Sequence, residues 1–424
     1  MNDKAQKADD PPRITILGKS RSPIAYQLRD FLERSDVPFE WLELTSNEQA
    51  RKVAGVDSLQ DSRLPVCIFS DGSRMECPTI RQVTEKLGWL RNPSNTEYDL
   101  AIYGAGPAGL SAAVYGASEG LKTVVIERSA VGGQAGTTSR IENYLGFPDG
   151  ITGADLAERA REQACRFGAE FLLLREAIRG EFTPGRSVGY LADGTKIIAR
   201  STICATGVQY RRLNLPNENQ FLGAGLYYGA GVSEASLCAN DSVAVVGGGN
   251  SAGQAAMNFS RFARAVTVII RGDSLKDTLS RYLVDRIKAA QNIQVLCHTV
   301  LTALQGDRFL ESVTLRNNTS GETQNISVKG LFVSIGGDPQ TDWATEVGII
   351  RDEGGYLVTG PDLLKEGRPP ASWPLERHPY YLETNMPGTF AAGDVRHGAV
   401  KRCASAVGEG AMAVTFVHRY LAEG

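Results

Sequence analysis

Two stretches of this chain carry the same punctuation: an apolar strand, a glycine-rich turn, and then helix-forming residues. Tyr98–Tyr103 runs into Gly104-Ala-Gly-Pro-Ala-Gly109, and Ser242–Val246 runs into Gly247-Gly-Gly-Asn-Ser-Ala252. In each, the first glycine makes a tight turn and the second lets the backbone approach a pyrophosphate. The third position, Gly109 or Ala252, allows the helix to pack closely on the strand. A helix that starts there aims its first amides at the phosphates. The pattern predicts an α/β protein with two Rossmann-like nucleotide-binding domains in series. Gly104, Gly106, Pro107, Ala108 and Gly109 form the first cradle, and Gly247, Gly249, Asn250, Ser251 and Ala252 the second.

The two fingerprints differ in the charge carried at the end of the next strand. Strand Thr123–Ile126 ends in Glu127, an acid placed to hydrogen-bond ribose hydroxyls. Strand Ala265–Ile270 comes after the second fingerprint, and the count that reached Glu127 reaches Ile270 here, with Arg271 next. An acid would accept the 2′-hydroxyl of NADH, whereas a cation tolerates the 2′-phosphate of NADPH. Arg271, with Lys276 farther along the loop, favours NADPH over NADH; a solvated surface charge is the other reading of Arg271.

The 424 residues suffice for two or three domains, and 42% hydrophobic with 22% charged content is ordinary for a globular chain. A net charge of −3 gives no push toward nucleic acid, and the longest apolar runs are strand-sized, so no membrane span is expected. Residues 1–12 read as a disordered leader without the apolar core of a signal peptide. Seven cysteines without framework spacing point to the reducing cytoplasm. Four histidines show no metal-ligand spacing, so no metal site is expected. Asn317, Asn318 and Asn325 fit the glycosylation acceptor pattern, which matters only in a secreted protein.

Residues 13–90 read as a small α/β domain of order β-α-β-β-β-α. Its strands are Arg13–Leu17, Phe39–Leu44, Val66–Phe69 and Arg74–Glu76, with Asp71-Gly72 as a two-residue hairpin turn. Ile24, Leu28, Phe31 and Leu32 recur at helical spacing; Pro78 suits the first turn of a last helix, which Gly88 stops. With Leu64-Pro65 ahead of the third strand, this order resembles the glutaredoxin branch of the thioredoxin fold. Residues 91–97 form a linker.

From Tyr98 onward the chain resembles the bacterial thioredoxin reductases. The resemblance rests on Gly132-Gly-Gln-Ala135, Ile141-Glu-Asn-Tyr144, Ala205-Thr-Gly207, Phe332-Val-Ser-Ile-Gly336 and Thr389-Phe-Ala-Ala-Gly-Asp394, in that order. It implies a discontinuous FAD-binding domain, residues 98–212 and 330–424, with an NAD(P)H-binding domain inserted at 213–329. It places Gln134 and Asn143 near the isoalloxazine and Asp394 at the ribityl chain, and makes Gly133, Ala205, Thr206, Gly207, Ile335, Gly336 and Gly393 cofactor-binding. Lys401, Arg402 and Cys403 would open a helix whose amides face the flavin N1–O2 edge, where a helix N-terminus stabilises negative charge. A homodimer is implied as well.

One part of that family's equipment is missing. No Cys-x-x-Cys occurs in the sequence; matching onward from Phe221-Leu-Gly-Ala-Gly225 puts the family's redox pair at Gly229-Ala-Gly-Val232. The glutaredoxin dithiol likewise maps onto Ser22-Pro-Ile-Ala25. Cys238 reads as a buried wall residue, and Cys67 would face Glu76 with Cys77 on the opposite side of the sheet. Cys403, at a helix N-terminus that can depress a thiol pKa, is either the one redox candidate near the flavin or inert packing. The expected activity is hydride transfer from NAD(P)H to FAD, with an external electron acceptor left open. A non-turnover redox sensor and a disulfide reductase using Cys403 are the alternatives. Residues 13–90 are either a redox-silent module for a protein partner or dimer, or a structural appendage.

Overall fold

A computed structural model describes residues 14–35, 37–90, 92–138, 140–229 and 238–423. The expected leader, Arg13 and part of Gly229–Val232 lie outside them. Two units are distinct. One takes in the chain up to Leu87, Thr137–Ser139 and Tyr210–Gly336; the other takes in Gly88–Gly136, Arg140–Gln209 and Gly337–Gly424.

The first unit begins with β1 (Ile14–Gly18), α1 (Pro23–Arg34), β2 (Phe39–Glu43), α2 (Asn47–Ala54), β3 (Val66–Phe69), β4 (Arg74–Glu76) and α3 (Ile80–Lys86). The sheet order is β2-β1-β3-β4, with β1 and β2 parallel and the other pairs antiparallel. Pro23 opens α1 where its missing N–H costs nothing, and Ser22 Oγ caps the helix by accepting from Ala25 N at 3.4 Å. Leu28, Phe31 and Leu32 are buried as their spacing required, but Ile24 is 41% exposed. The Leu64–Pro65 peptide is cis.

Three details correct the sequence reading. Helix α2 has no signature in the sequence, because its eight residues bury only Ala50 and Ala54 and carry no apolar stripe; Ser46 caps it and Gly55 ends it at φ 62°. The last helix starts at Ile80 behind a Thr79–Gln82 capping box, so Pro78 precedes the cap and is not in the first turn. The hairpin turn is three residues, not two. Gly72 at φ 78° donates to Phe69 O, and Phe69 N pairs with Ser73 O, which sets Cys67 opposite Met75, not Glu76. Cys77, whose N–H reaches Pro65 O at 2.8 Å, therefore falls on the Cys67 side of the ladder.

The same unit holds a five-stranded parallel sheet, in the order Leu226–Tyr228, Gly330–Val333, Ser242–Val246, Ala265–Ile269, Ile293–Leu296. Ile270 lies one residue beyond its strand, as Leu44 does beyond β2. Helices Asn250–Phe259 and Arg281–Ala289 cover one face, around Phe259, Leu283 and Ile287. An antiparallel sheet of Thr299–Gln305, Ser312–Asn317 and Thr323–Ser327 presents Leu304, Val313 and Leu315 to a second core.

The second unit is built on β5 (Glu97–Tyr103), α4 (Pro107–Ser118), β6 (Thr123–Glu127), α5 (Gly153–Arg166), β7 (Glu170–Leu173), β8 (Ala177–Thr183), β9 (Arg186–Leu191) and β10 (Lys196–Cys204). The order is β7-β6-β5-β10-β9-β8, and Thr389–Ala391 adds parallel to β10. The central strands β5 and β6 are apolar and buried over Leu100–Ile102 and Val124–Ile126, where both faces are covered. The closing helix, Cys403–Glu423, crosses α4 so closely that a Cβ on Gly410 would overlap the Ala108 carbonyl oxygen. Among the described residues no helix is long and apolar enough to cross a membrane, and no cluster of His, Cys, Asp or Glu could hold a metal.

Candidate functional site

The first fingerprint forms the turn its glycines predict. Gly104 adopts φ 104°, where a side chain would collide with Ala205 O, and a Cβ on Gly109 would overlap Gly104 O. Gly106 is the N-cap of α4 with no side chain over it, and nothing lies within 4 Å of where its Cβ would stand. The leading amides of α4 are thus presented to an open approach. Gly133 closes the other side, its φ of 53° bringing its Cβ position 3.2 Å from the Gly106 Cα. Glu127, nearly buried, accepts from Ala105 N and Ser129 N, each at 2.8 Å, and from Ser129 Oγ at 3.2 Å. It braces the glycine loop and keeps one lone-pair site for a ribose hydroxyl.

The Asp394 carboxylate bears most directly on whether a polyol chain fits beside its loop. Burial raises its carboxyl pKa, Lys401 opposes and Glu409 reinforces the shift, and no described residue donates a hydrogen bond to the carboxylate. Its loop is nonetheless held rigidly. Glu409 accepts from Gly393 N at 2.7 Å and from Arg396 Nη2 at 2.5 Å, so an ion pair from the closing helix fixes the Gly393-Asp394 step. A carboxylate set this firmly without a donor fits a polyol chain bearing hydroxyl donors. Gln134 donates to Val208 O at 3.0 Å, and Asn143 is exposed. Gly207 turns at φ 61° after β10, and Ala205 N donates to Tyr103 O. Neither Arg396 nor Glu409 stands out in the sequence, because their pairing joins a loop to the middle of a helix.

Cys403 begins the closing helix as expected, and its thiol bears on the two readings left open in the sequence. Burial and the Asp394 carboxylate push it up to about 11, in keeping with inert packing. The thiol lines a cavity of about 390 Å³ between α4, α5 and this helix, beside Tyr144 and Val407.

The second fingerprint repeats the geometry. Gly247 stands at φ 139° against Ser334 O, and Ala252 is buried beside it. Gly249 caps helix Asn250–Phe259 with nothing within 4 Å of its Cβ position. The loop beyond the next strand is tied to this turn twice: Thr278 Oγ1 donates to Gly248 O at 2.5 Å, and Ser280 N donates to Asn250 Oδ1 at 2.8 Å. Arg271 and Lys276 on that loop are exposed, with no ion pair from either side chain among the described residues. Asp273, between them, meets His298 Nδ1 at 3.4 Å. Two cations are thereby held near a helix N-terminus, an arrangement that suits an extra phosphate. Ser334 is a further candidate: its Oγ is buried without a hydrogen-bond partner in the described structure. Ile335 and Gly336, at φ 87°, come directly after it.

The cysteines elsewhere are accounted for. Cys238 is buried in the core with Val243 and Phe332, as expected. Burial raises the Cys67 thiol to about 12, and none of the seven cysteines forms a disulfide. At Gly229 a Cβ would sit 2.7 Å from Tyr210 Oη.

Residues 98–410 match the pyridine nucleotide-disulphide oxidoreductase family. The thioredoxin reductase of Mycolicibacterium smegmatis is 35% identical over 78% of this chain and 98% of its own length. That of Streptomyces clavuligerus is 34% identical over 76% and 94%. Among solved structures, thioredoxin reductase from Lactococcus lactis in its FR conformation covers 77% of this chain with all of its own, at 30% identity and a TM-score of 0.68. The T. acidophilum thioredoxin reductase aligns with the same TM-score of 0.68 over 78% of this chain and 99% of its own, at 29% identity.

Proposed function

Because the chain belongs to the pyridine nucleotide-disulphide oxidoreductases, in their thioredoxin reductase-like branch, we propose an FAD-dependent NADPH oxidoreductase that works without a redox disulfide of its own. The family uses FAD and NADPH. FAD, when bound, would supply the redox chemistry, hydride acceptance from NADPH and electron donation to an external acceptor.

The chain's own residues bind and orient. The open turn at Gly106 and the first amides of α4 take the FAD pyrophosphate, Asp394 takes a ribityl hydroxyl, and Glu127 takes the ribose. Gln134, Asn143 and the start of helix Cys403–Glu423 border the ring. Gly249 and its helix take the NADPH pyrophosphate, while Arg271 and Lys276 face the 2′-phosphate. We assign residues 13–90 as a redox-silent glutaredoxin-like domain, supported by the sheet order β2-β1-β3-β4 and by Ser22-Pro-Ile-Ala25 at the head of α1. A homodimer in the reducing cytoplasm completes the reading, the first on family resemblance and the second on seven cysteines that form no disulfide.

One observation carries the proposal: both glycine cradles are open and intact, while no Cys-x-x-Cys exists in the sequence to stand between flavin and substrate. Cys403, held well above neutral pH as a thiol, is a poor replacement nucleophile. Anaerobic stopped-flow mixing of the FAD-loaded protein with NADPH tests the reading. Bleaching of the flavin band is expected, and then reoxidation by a non-disulfide acceptor such as a quinone. A flavin that stays oxidised would favour the sensor reading over the enzyme.

A further inference from the structure

The head of α1 is where a glutaredoxin would carry its dithiol, and in this protein that end of the helix already has an occupant. A Cβ on Gly223 would stand 3.0 Å from the Pro23 Cα and 3.1 Å from the Tyr26 ring. The Tyr26 ring meets that of Tyr227 with centroids 5.1 Å apart, and Tyr26 packs against the same core as Phe332. Just before the helix, the Arg21 guanidinium lies 5.0 Å from the centroid of the Phe309 ring. Farther along α1, the charges of Asp30 and Arg34 are felt by the Tyr210 phenol, whose oxygen abuts Gly229.

Pro23, Tyr26, Asp30 and Arg34 recur at helical spacing, so one stripe of α1 runs along the segment from Gly223 to Gly229. The neighbouring stripe, Ala25, Leu28 and Leu32, fills the small domain's own core. One helix thus serves two packings. Gly223, at φ 73° and without a side chain, leaves the room this contact requires.

We propose that the N-terminal domain is a tethered ligand of the nucleotide-binding domain, docked through the end of α1 that once served redox chemistry. The domain therefore travels with the nucleotide-binding domain and is closed to outside peptides at its motif end. This goes beyond the proposed activity and can fail independently of it.

A cross-link in the full-length, FAD-loaded protein tests the docking. In the Arg21→Cys/Phe309→Cys double variant a cysteine replaces each member of the guanidinium–ring contact, at positions that already carry side chains. A short bifunctional thiol-reactive linker should join them, as read by peptide mass spectrometry, and the joined protein should still bleach with NADPH at a rate within about twofold of the unjoined form. A folded variant that does not cross-link, or a cross-link that slows bleaching more than about tenfold, would overturn the proposal. Hydrogen exchange provides a second reading with Tyr26→Asp. Amides of Gly223–Tyr228 should exchange faster in that variant while Ser242–Val246 do not; unchanged protection of Gly223–Tyr228 would count against docking. Failure of the unjoined protein to bleach would refute the activity and leave the cross-link result standing.

Discussion

At the residue scale, specificity for the nicotinamide cofactor rests on Arg271. Its neighbour Asp273 meets His298, so the cation is not neutralised within its own loop, and Thr278 and Ser280 tie that loop to the glycine turn. Replacing Arg271 by Glu sets a negative charge against a phosphate and leaves the pyrophosphate cradle untouched. The KM for NADPH should rise by roughly tenfold to a hundredfold, while that for NADH moves by less than about twofold. Equal changes for the two would place Arg271 outside the site. The residue is legible from its place after the second strand, but Thr278, Ser280 and Ser334 are not. Each acts by meeting, or lacking, a partner distant in sequence, and no local pattern records that.

At the element scale, the regular parts announce themselves in the sequence and the irregular parts do not. Strand, glycine turn and helix are fixed by local sterics, so both Rossmann turns are readable, as are the buried strands β5 and β6. Helix α2 escapes notice because only two alanines anchor it. The β3–β4 register differs by one from the expected pairing because Asp-Gly serves a two-residue and a three-residue turn alike. The segment between the 3₁₀ turn Gly360–Leu363 and strand Thr389–Ala391 has no repeating pattern, and a buried acid organises it. Glu383 is fully buried and accepts from Arg377 Nη1 at 2.7 Å, Tyr380 N at 2.9 Å and Gly388 N at 2.9 Å. Arg377 also grips Glu423 at the end of the closing helix. Arg377→Ala leaves the Glu383 carboxylate buried without its cation, at a cost of about 3 kcal/mol or more. Urea unfolding of the FAD-loaded protein should show that loss; a change under about 0.5 kcal/mol would mean the pair does not organise the segment.

At the scale of the whole molecule, the chain keeps two nucleotide sites and lacks the thiol pair that links them to a disulfide substrate in the enzymes it resembles. The second face of α1, Pro23 to Arg34, is invisible in the sequence, because a stripe of mixed polar and aromatic residues looks like a solvated surface. Its contact with Gly223 and Tyr227 turns the N-terminal domain from an open question into a docked part. The central claim is that flavin is the only redox centre. Anaerobic reductive titration of the FAD-loaded protein with dithionite measures it directly. A single two-electron equivalent per flavin should complete reduction, and Cys403→Ser should leave that stoichiometry unchanged. Uptake of a second equivalent, lost in the Cys403→Ser variant, would reveal a working thiol centre and contradict the account.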